Sequence, residues 1–150
     1  MEHFLVDYFK DLFDLDQFVD LHYNPPGENL KGVSRFDLND THAPIINSYF
    51  KEDIEQKQIH SRVLKLLKYK PGSFASEHQD SEQIDWTSIT LIDKSDDLLG
   101  GECIINGVPH ELNIGETVWY PAGMLHGVNK LRLGYRNVLV VLWSSLSAET

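Results

Sequence analysis

The second half of this chain has a rhythm that allows few folds. From Ser61 onward, short apolar or alternating runs recur near residues 62–69, 86–92, 102–105, 108–112, 117–120, 126–131 and 137–143, with turn residues between them. Many short strands with few helices among them predict a mainly β protein of two packed antiparallel sheets. The expected fold is a double-stranded β-helix, or jelly roll, over about residues 61–145. Asn106-Gly107, between Glu102-Cys103-Ile104-Ile105 and Val108-Pro109-His110-Glu111-Leu112, is a type I′ hairpin signal. Pro109 predicts that the second strand of that hairpin lies at an edge or starts late.

Residues 1–58 read as helical and loop support. Phe4, Leu5, Tyr8, Phe9, Leu12 and Phe13 follow i, i+3, i+4 spacing and predict a core-facing stripe. A second helix is expected from about Pro44 to Gln56, capped near Thr41 or His42, with Ile45, Ile46, Tyr49 and Ile54 apolar. Asn24-Pro25-Pro26-Gly27-Glu28-Asn29 reads as a loop. It is either a plain surface connection or a cover for a site. At 150 residues the chain is of single-domain size and can bury a real core.

The net charge of −10 disfavours broad contact with nucleic acid, whose affinity comes mainly from clustered Lys and Arg. Lys65, Lys68 and Lys70 form a local basic strip at most, or a solvated strand face. The same charge favours neutral or cationic substrates. There is no apolar run long enough to cross a bilayer, and the N-terminus lacks the order of a signal peptide. The single cysteine, Cys103, excludes an intramolecular disulfide and fits a reducing cytoplasm.

Within the strand-rich half, His78 and Asp80 stand two residues apart. In a strand, i and i+2 share a face, so this imidazole and carboxylate can grip one ion from one side. A chain of this composition supplies about 0.6 His-x-Asp pairs by chance, so the dyad needs support from its surroundings. His126, arriving from another strand, completes two histidines and one carboxylate with open positions opposite. That ligand set is associated with non-haem Fe(II) oxygenases rather than with closed structural zinc.

The surroundings supply the support. Arg62 to Gly72 form a strand ending at a turn, and His78-Gln79-Asp80 follows. Gly100-Gly101-Glu102, Trp119-Tyr120-Pro121-Ala122-Gly123-Met124-Leu125-His126, Gly134-Tyr135-Arg136 and Val138–Trp143 come after it. In this order and spacing, over about Arg62 to Ser145, the chain resembles the Fe(II)- and 2-oxoglutarate-dependent dioxygenases of the prolyl 4-hydroxylase type, including their small bacterial and phage members. The resemblance implies that His78, Asp80 and His126 hold Fe(II) and that Arg136 anchors the distal carboxylate of 2-oxoglutarate. It implies oxidative decarboxylation to succinate and CO2 with O2, coupled to hydroxylation of an unactivated C–H bond in a peptidyl substrate, such as a prolyl residue, or in a small molecule. Related halogenases lack the carboxylate, so Asp80 points to hydroxylation.

Other positions are less settled. A planar guanidinium suits a carboxylate well, but Arg132 rivals Arg136 on spacing alone. Tyr69 matches a tyrosine that in relatives hydrogen-bonds the cosubstrate, and reads equally as a core aromatic. Thr87 or Thr90 is placed to help Arg136, in a region where some relatives carry a tyrosine near Leu91. Gly100 and Gly101 are expected to permit a bulge and close backbone approach. Trp143 follows Arg136 by seven residues where relatives commonly show six, which leaves the last strand's register open. His60 and His110 read as structural or surface residues, Trp86 and Trp119 as core. The alternative function is a cupin-like metal- or sugar-binding jelly roll without oxygen chemistry.

Overall fold

The structure is a computed structural model and describes residues 4–21, 30–80 and 83–146. The 24–29 loop lies outside the described residues. Helix α1 (Phe4–Lys10) runs into a 3-10 turn at Asp11–Asp14, and α2 (Ala43–Tyr49) is followed at once by α3 (Lys51–Lys57). The strands are β1 (Val19–Asp20), β2 (Leu30–Asp37), β3 (Ile59–His78), β4 (Trp86–Lys94), β5 (Cys103–Ile105), β6 (Val108–His110), β7 (Thr117–Pro121), β8 (His126–Val128) and β9 (Arg136–Ser145). The seven expected runs correspond to β3 through β9.

All the strand pairings are antiparallel, in the order β6-β5-β8-β3-β9-β4-β7, with β2 added to β3 and β1 to β2. The first half of β3 pairs with β9 and its last residues, Ala75 and His78, pair with β8. One long strand therefore belongs to both layers and curls the sheet into a jelly roll. Asn106 and Gly107 both take positive φ, 50° and 80°, as a type I′ turn demands, and Pro109 sits on the edge strand β6.

Three expectations are revised. The turn at Pro71-Gly72 does not end a strand. Lys31 pairs with Phe74 and Val33 with Tyr69, so Lys70–Ser73 bulge opposite Gly32 while β3 continues. Gly72 absorbs the bend at φ 93°, and its N–H donates to the Leu131 carbonyl at 2.7 Å. The N-terminal support is not only helix and loop, because β2 lies within it and pairs along β3. The single helix 44–56 is two, broken where Phe50 (φ −98°, ψ 20°) drops between Trp119 and Trp143, edge-on to both at 5.6 Å.

Strand alternation sorts the core into two clusters. Val138 and Val140 of β9 join Leu67 and Tyr69 of β3 and Ile89 and Leu91 of β4 inside the roll. Leu139, Val141 and Trp143 face the other way, against Leu5, Phe9 and Phe13 of the N-terminal segment and Ile46 and Phe50. Tyr8, expected in that stripe, is exposed. Burial on both faces explains why 138–143 reads as an unbroken apolar run, each side chain contributing roughly 1.5–3 kcal/mol. The seven-residue spacing is now accounted for. An odd offset sets Trp143 on the face opposite Arg136, where its Nε1–H donates to Ser88 Oγ at 2.9 Å. β9 itself skips no residue, and the irregularities fall on its partners at Arg62 and Ile92.

Candidate functional site

His78 ends β3 and His126 begins β8, and the two are cross-strand partners. Their approach depends on Gly127, whose position could not take a Cβ without bringing it 2.6 Å from the Ala75 carbonyl oxygen. Asp80 does not share a strand face with His78 as expected. It lies two residues past the end of β3, held by its N–H to the Ala122 carbonyl at 2.9 Å. His78, Asp80 and His126 nonetheless bring one ligand atom each to within 4.8 Å of one another.

The hydrogen bonds prepare those atoms. A carbonyl only accepts, so His78 Nδ1, 2.7 Å from Ser76 O, and His126 Nδ1, 2.8 Å from Met124 O, carry the ring protons. Both Nε2 lone pairs are left facing the shared space. Thr87 Oγ1 donates to Asp80 Oδ2 at 2.5 Å, leaving Oδ1 free at 3.2 Å from His126 Nε2 and 3.9 Å from His78 Nε2. Acceptors facing one another at such distances call for a cation or a proton between them. With no ion bound, burial raises the Asp80 pKa, but a proton on His126 Nε2 and the Thr87 hydroxyl, both donating to the carboxylate, outweigh it and hold the carboxyl below its ordinary value.

Arg136 begins β9 opposite Tyr69 and is 4% exposed. Its Nη2 donates to Cys103 Sγ at 2.9 Å, its Cζ lies 5.0 Å from the centre of the Tyr69 ring, and its Nη1 has no partner. Among the described residues it forms no ion pair. A buried, unpaired charge is costly, so an orphaned guanidinium nitrogen marks a place for an anion. Arg136, Tyr69 and the His-Asp-His group line one cavity of about 460 Å³. Arg132, the rival, is exposed elsewhere on the surface. Burial raises the Tyr69 pKa against the pull of Arg136, so the phenol keeps its proton and stays a donor.

Thr87 belongs to the cavity but serves Asp80 rather than Arg136. Thr90 does not reach it. An odd number of residues away on β4, it is bonded to Thr117 Oγ1 at 2.7 Å. Gly100 and Gly101 take φ 84° and 77° in a loop rather than in a strand bulge. A Cβ at Gly100 would strike the Lys130 carbonyl oxygen, and one at Gly101 would stand 3.4 Å from Arg136 Cδ. Lys65 lines the cavity, whereas Lys68 turns to the other side and bonds Phe13 O at 3.0 Å, so they form no single strip. Trp86 and Trp119 pack with the helical cluster under Lys57 Nζ, 5.1 and 4.7 Å from their rings. Sequence alone did not mark Tyr120, buried with its ring 4.4 Å from that of His126, nor Arg35 in the cavity wall. Only strand pairing brings them there.

No protein-family model matches the sequence, and no curated protein matches it. Solved structures do. A prolyl hydroxylase from Trichoplax adhaerens, in complex with a fragment of the oxygen degradation domain of hypoxia inducible factor, superposes with a TM-score of 0.74 at 12% identity, covering 95% of this chain and 78% of that one. An oxidoreductase of the 2OG-Fe(II) oxygenase family from Burkholderia pseudomallei gives 0.71 at 15% identity, covering 95% and 79%. The fold is prolyl 4-hydroxylase-like. This oxygenase fold shares its jelly roll with cupins, and a cupin 2 conserved barrel domain protein from Rhodopseudomonas palustris superposes less well, with a TM-score of 0.55 at 12% identity over 85% of this chain and 72% of that one. No helix among the described residues is long and apolar enough to cross a membrane.

Proposed function

We propose that this protein is an Fe(II)- and 2-oxoglutarate-dependent hydroxylase. The observation that carries the reading is the presence, in one cavity, of a three-ligand group with prepared lone pairs and a buried guanidinium without an anion. The donor set suits a divalent ion that keeps open positions, as a non-haem oxygenase requires. His78 Nε2, His126 Nε2 and Asp80 Oδ1 would hold it, while Thr87 keeps the other carboxylate oxygen occupied. Arg136 would take the distal carboxylate of 2-oxoglutarate with Tyr69 beside it, and both would orient that molecule toward the metal.

The iron and the cosubstrate together supply oxidative decarboxylation to succinate and CO2, coupled to hydroxylation of a C–H bond. The residues bind, orient and exclude water. Val138, Val140 and Ile89 wall the cavity with apolar surface, which strengthens the charged contacts within it. The peptide bound by the Trichoplax hydroxylase supports a peptidyl substrate for the open side of the cavity, with a free small molecule as the other source. A plain metal- or sugar-binding cupin has no use for Arg136.

Adding Fe(II) and 2-oxoglutarate without oxygen tests the reading. The expected result is a visible charge-transfer absorption from the chelate, followed by slow succinate release when oxygen is admitted. Metal binding without that band would favour the cupin reading.

A further inference from the structure

One wall of the cavity carries charge that the proposed reaction leaves unused. Lys65 on β3 and Arg35 on β2 both line it. In the β2–β3 register Lys65 pairs with Asp37, and Arg35 with Leu67. Arg35 Nε is 3.2 Å from Asp37 Oδ1, so that pair is neutral as a unit. Among the described residues, no carboxylate lies within 4.0 Å of the Lys65 ammonium.

The balance of charge in the loaded site sharpens the point, and it rests on the oxygenase reading. A divalent ion and a dicarboxylate would be matched by Asp80 and Arg136, which leaves Lys65, among the described residues that line the cavity, without a counter-charge. A partly buried charge is costly unless it is paired. Burial, and then the neighbouring Arg35, push the Lys65 pKa below its ordinary value, against the weaker pull of Asp80 and Asp37. Lys65 also stands apart from the proposed cosubstrate clamp. It precedes Tyr69 by four residues, roughly 13 Å along the strand.

We propose that Lys65, with Arg35 beside it, receives a carboxylate of the substrate, so that the enzyme acts on an acid. The carboxylate belongs either to a free small acid or to an acidic side chain of a peptide. The chain as a whole carries −10 and would repel such a molecule at long range. Locally Lys65 and Arg35 offer positive charge on the cavity wall, so the preference for neutral or cationic substrates read from net charge does not extend to the site.

The test titrates the anaerobic protein–Fe(II)–2-oxoglutarate complex with two matched pairs and reads the shift of the chelate band. One pair is N-acetyl-L-proline and its amide. The other is a capped glutamyl-prolyl-glycine tripeptide and its glutaminyl counterpart. In at least one pair the acid should bind about tenfold more tightly than the amide, which is about 1.4 kcal/mol, and the discriminating pair identifies the source of the carboxylate. Lys65→Met should erase the difference, Lys65→Arg should keep it, and Lys70→Met, exposed on the same strand, should leave it unchanged. Equal binding of acid and amide in both pairs overturns the proposal. So does a loss of 2-oxoglutarate affinity in Lys65→Met as large as its loss of acid binding, because Lys65 would then serve the cosubstrate. Absence of the chelate band in the wild-type protein instead sinks the oxygenase reading itself.

Discussion

Asp80 divides its two oxygens between two partners. Oδ1 faces the histidines, while Oδ2 accepts the Thr87 hydroxyl, which fixes the plane of the carboxylate. Removing the first partnership should abolish the centre, so Asp80→Ala is expected to lose Fe(II) binding and succinate release together. Removing the second should only loosen it. Thr87→Val keeps the shape of the side chain, and metal affinity, followed by Fe(II) titration, should fall about 10- to 100-fold. At the other end of the cavity, Arg136→Ala should raise the dissociation constant for 2-oxoglutarate roughly 10- to 100-fold, the worth of a hydrogen bond to a charged group, without loss of bound metal. Chelate absorption against 2-oxoglutarate concentration measures it. That His78, Asp80 and His126 come together was legible in the sequence because their spacing survives as a pattern. The partner of Thr87 was not, because it depends on Asp80 leaving the strand and on which face of β4 each threonine takes.

At the scale of elements, close backbone approach decides what the sheet tolerates. β8 lies so near β3 that a side chain at Gly127 meets the Ala75 carbonyl, whereas Gly123, in the loop before β8, has open space around it. Gly127→Ala should cost about 1–3 kcal/mol through overpacking and push His126 away from His78, lowering metal affinity as well. Gly123→Ala should stay within about 0.5 kcal/mol. Denaturant unfolding of the two variants, with Fe(II) titration, separates the effects, and equal stabilities would refute the tight β3–β8 contact. The strands themselves were legible from apolar runs, and the hairpin from Asn106-Gly107. The continuation of β3 through Pro71-Gly72 was not. Those residues do bend the chain, but Gly32 across the pair and the Leu131 carbonyl absorb the bend as a bulge. β2 escaped notice because Leu30–Asp37 mixes charged residues with a glycine, and its order comes from pairing along β3 rather than from a periodicity of its own.

For the molecule as a whole, the proposed function implies that the His78-Asp80-His126 group would couple metal binding to folding, since the unfolded chain has no such site. A ligand that binds only the folded state stabilises it by about 2.7 kcal/mol at a hundred times its dissociation constant. In a protein of this size that should raise Tm by roughly 5–10 °C, reversed by chelator. 2-Oxoglutarate should add a second rise in the wild type that Arg136→Ala loses. Acid acts differently on the two forms. In the metal-free protein the lowered pKa of Asp80 means that its contribution is present above the ordinary value of 3.8 and disappears as pH falls through the folded value. In the loaded protein protons compete directly with the metal for the imidazoles and the carboxylate, so the gain in Tm shrinks at higher pH than the metal-free protein loses stability. Thermal melts from neutral to acid pH, with and without Fe(II) under nitrogen, should therefore converge before the metal-free curve turns down. A gap that stayed constant into the acid range would mean that the bound ion is not held by the two histidines and Asp80.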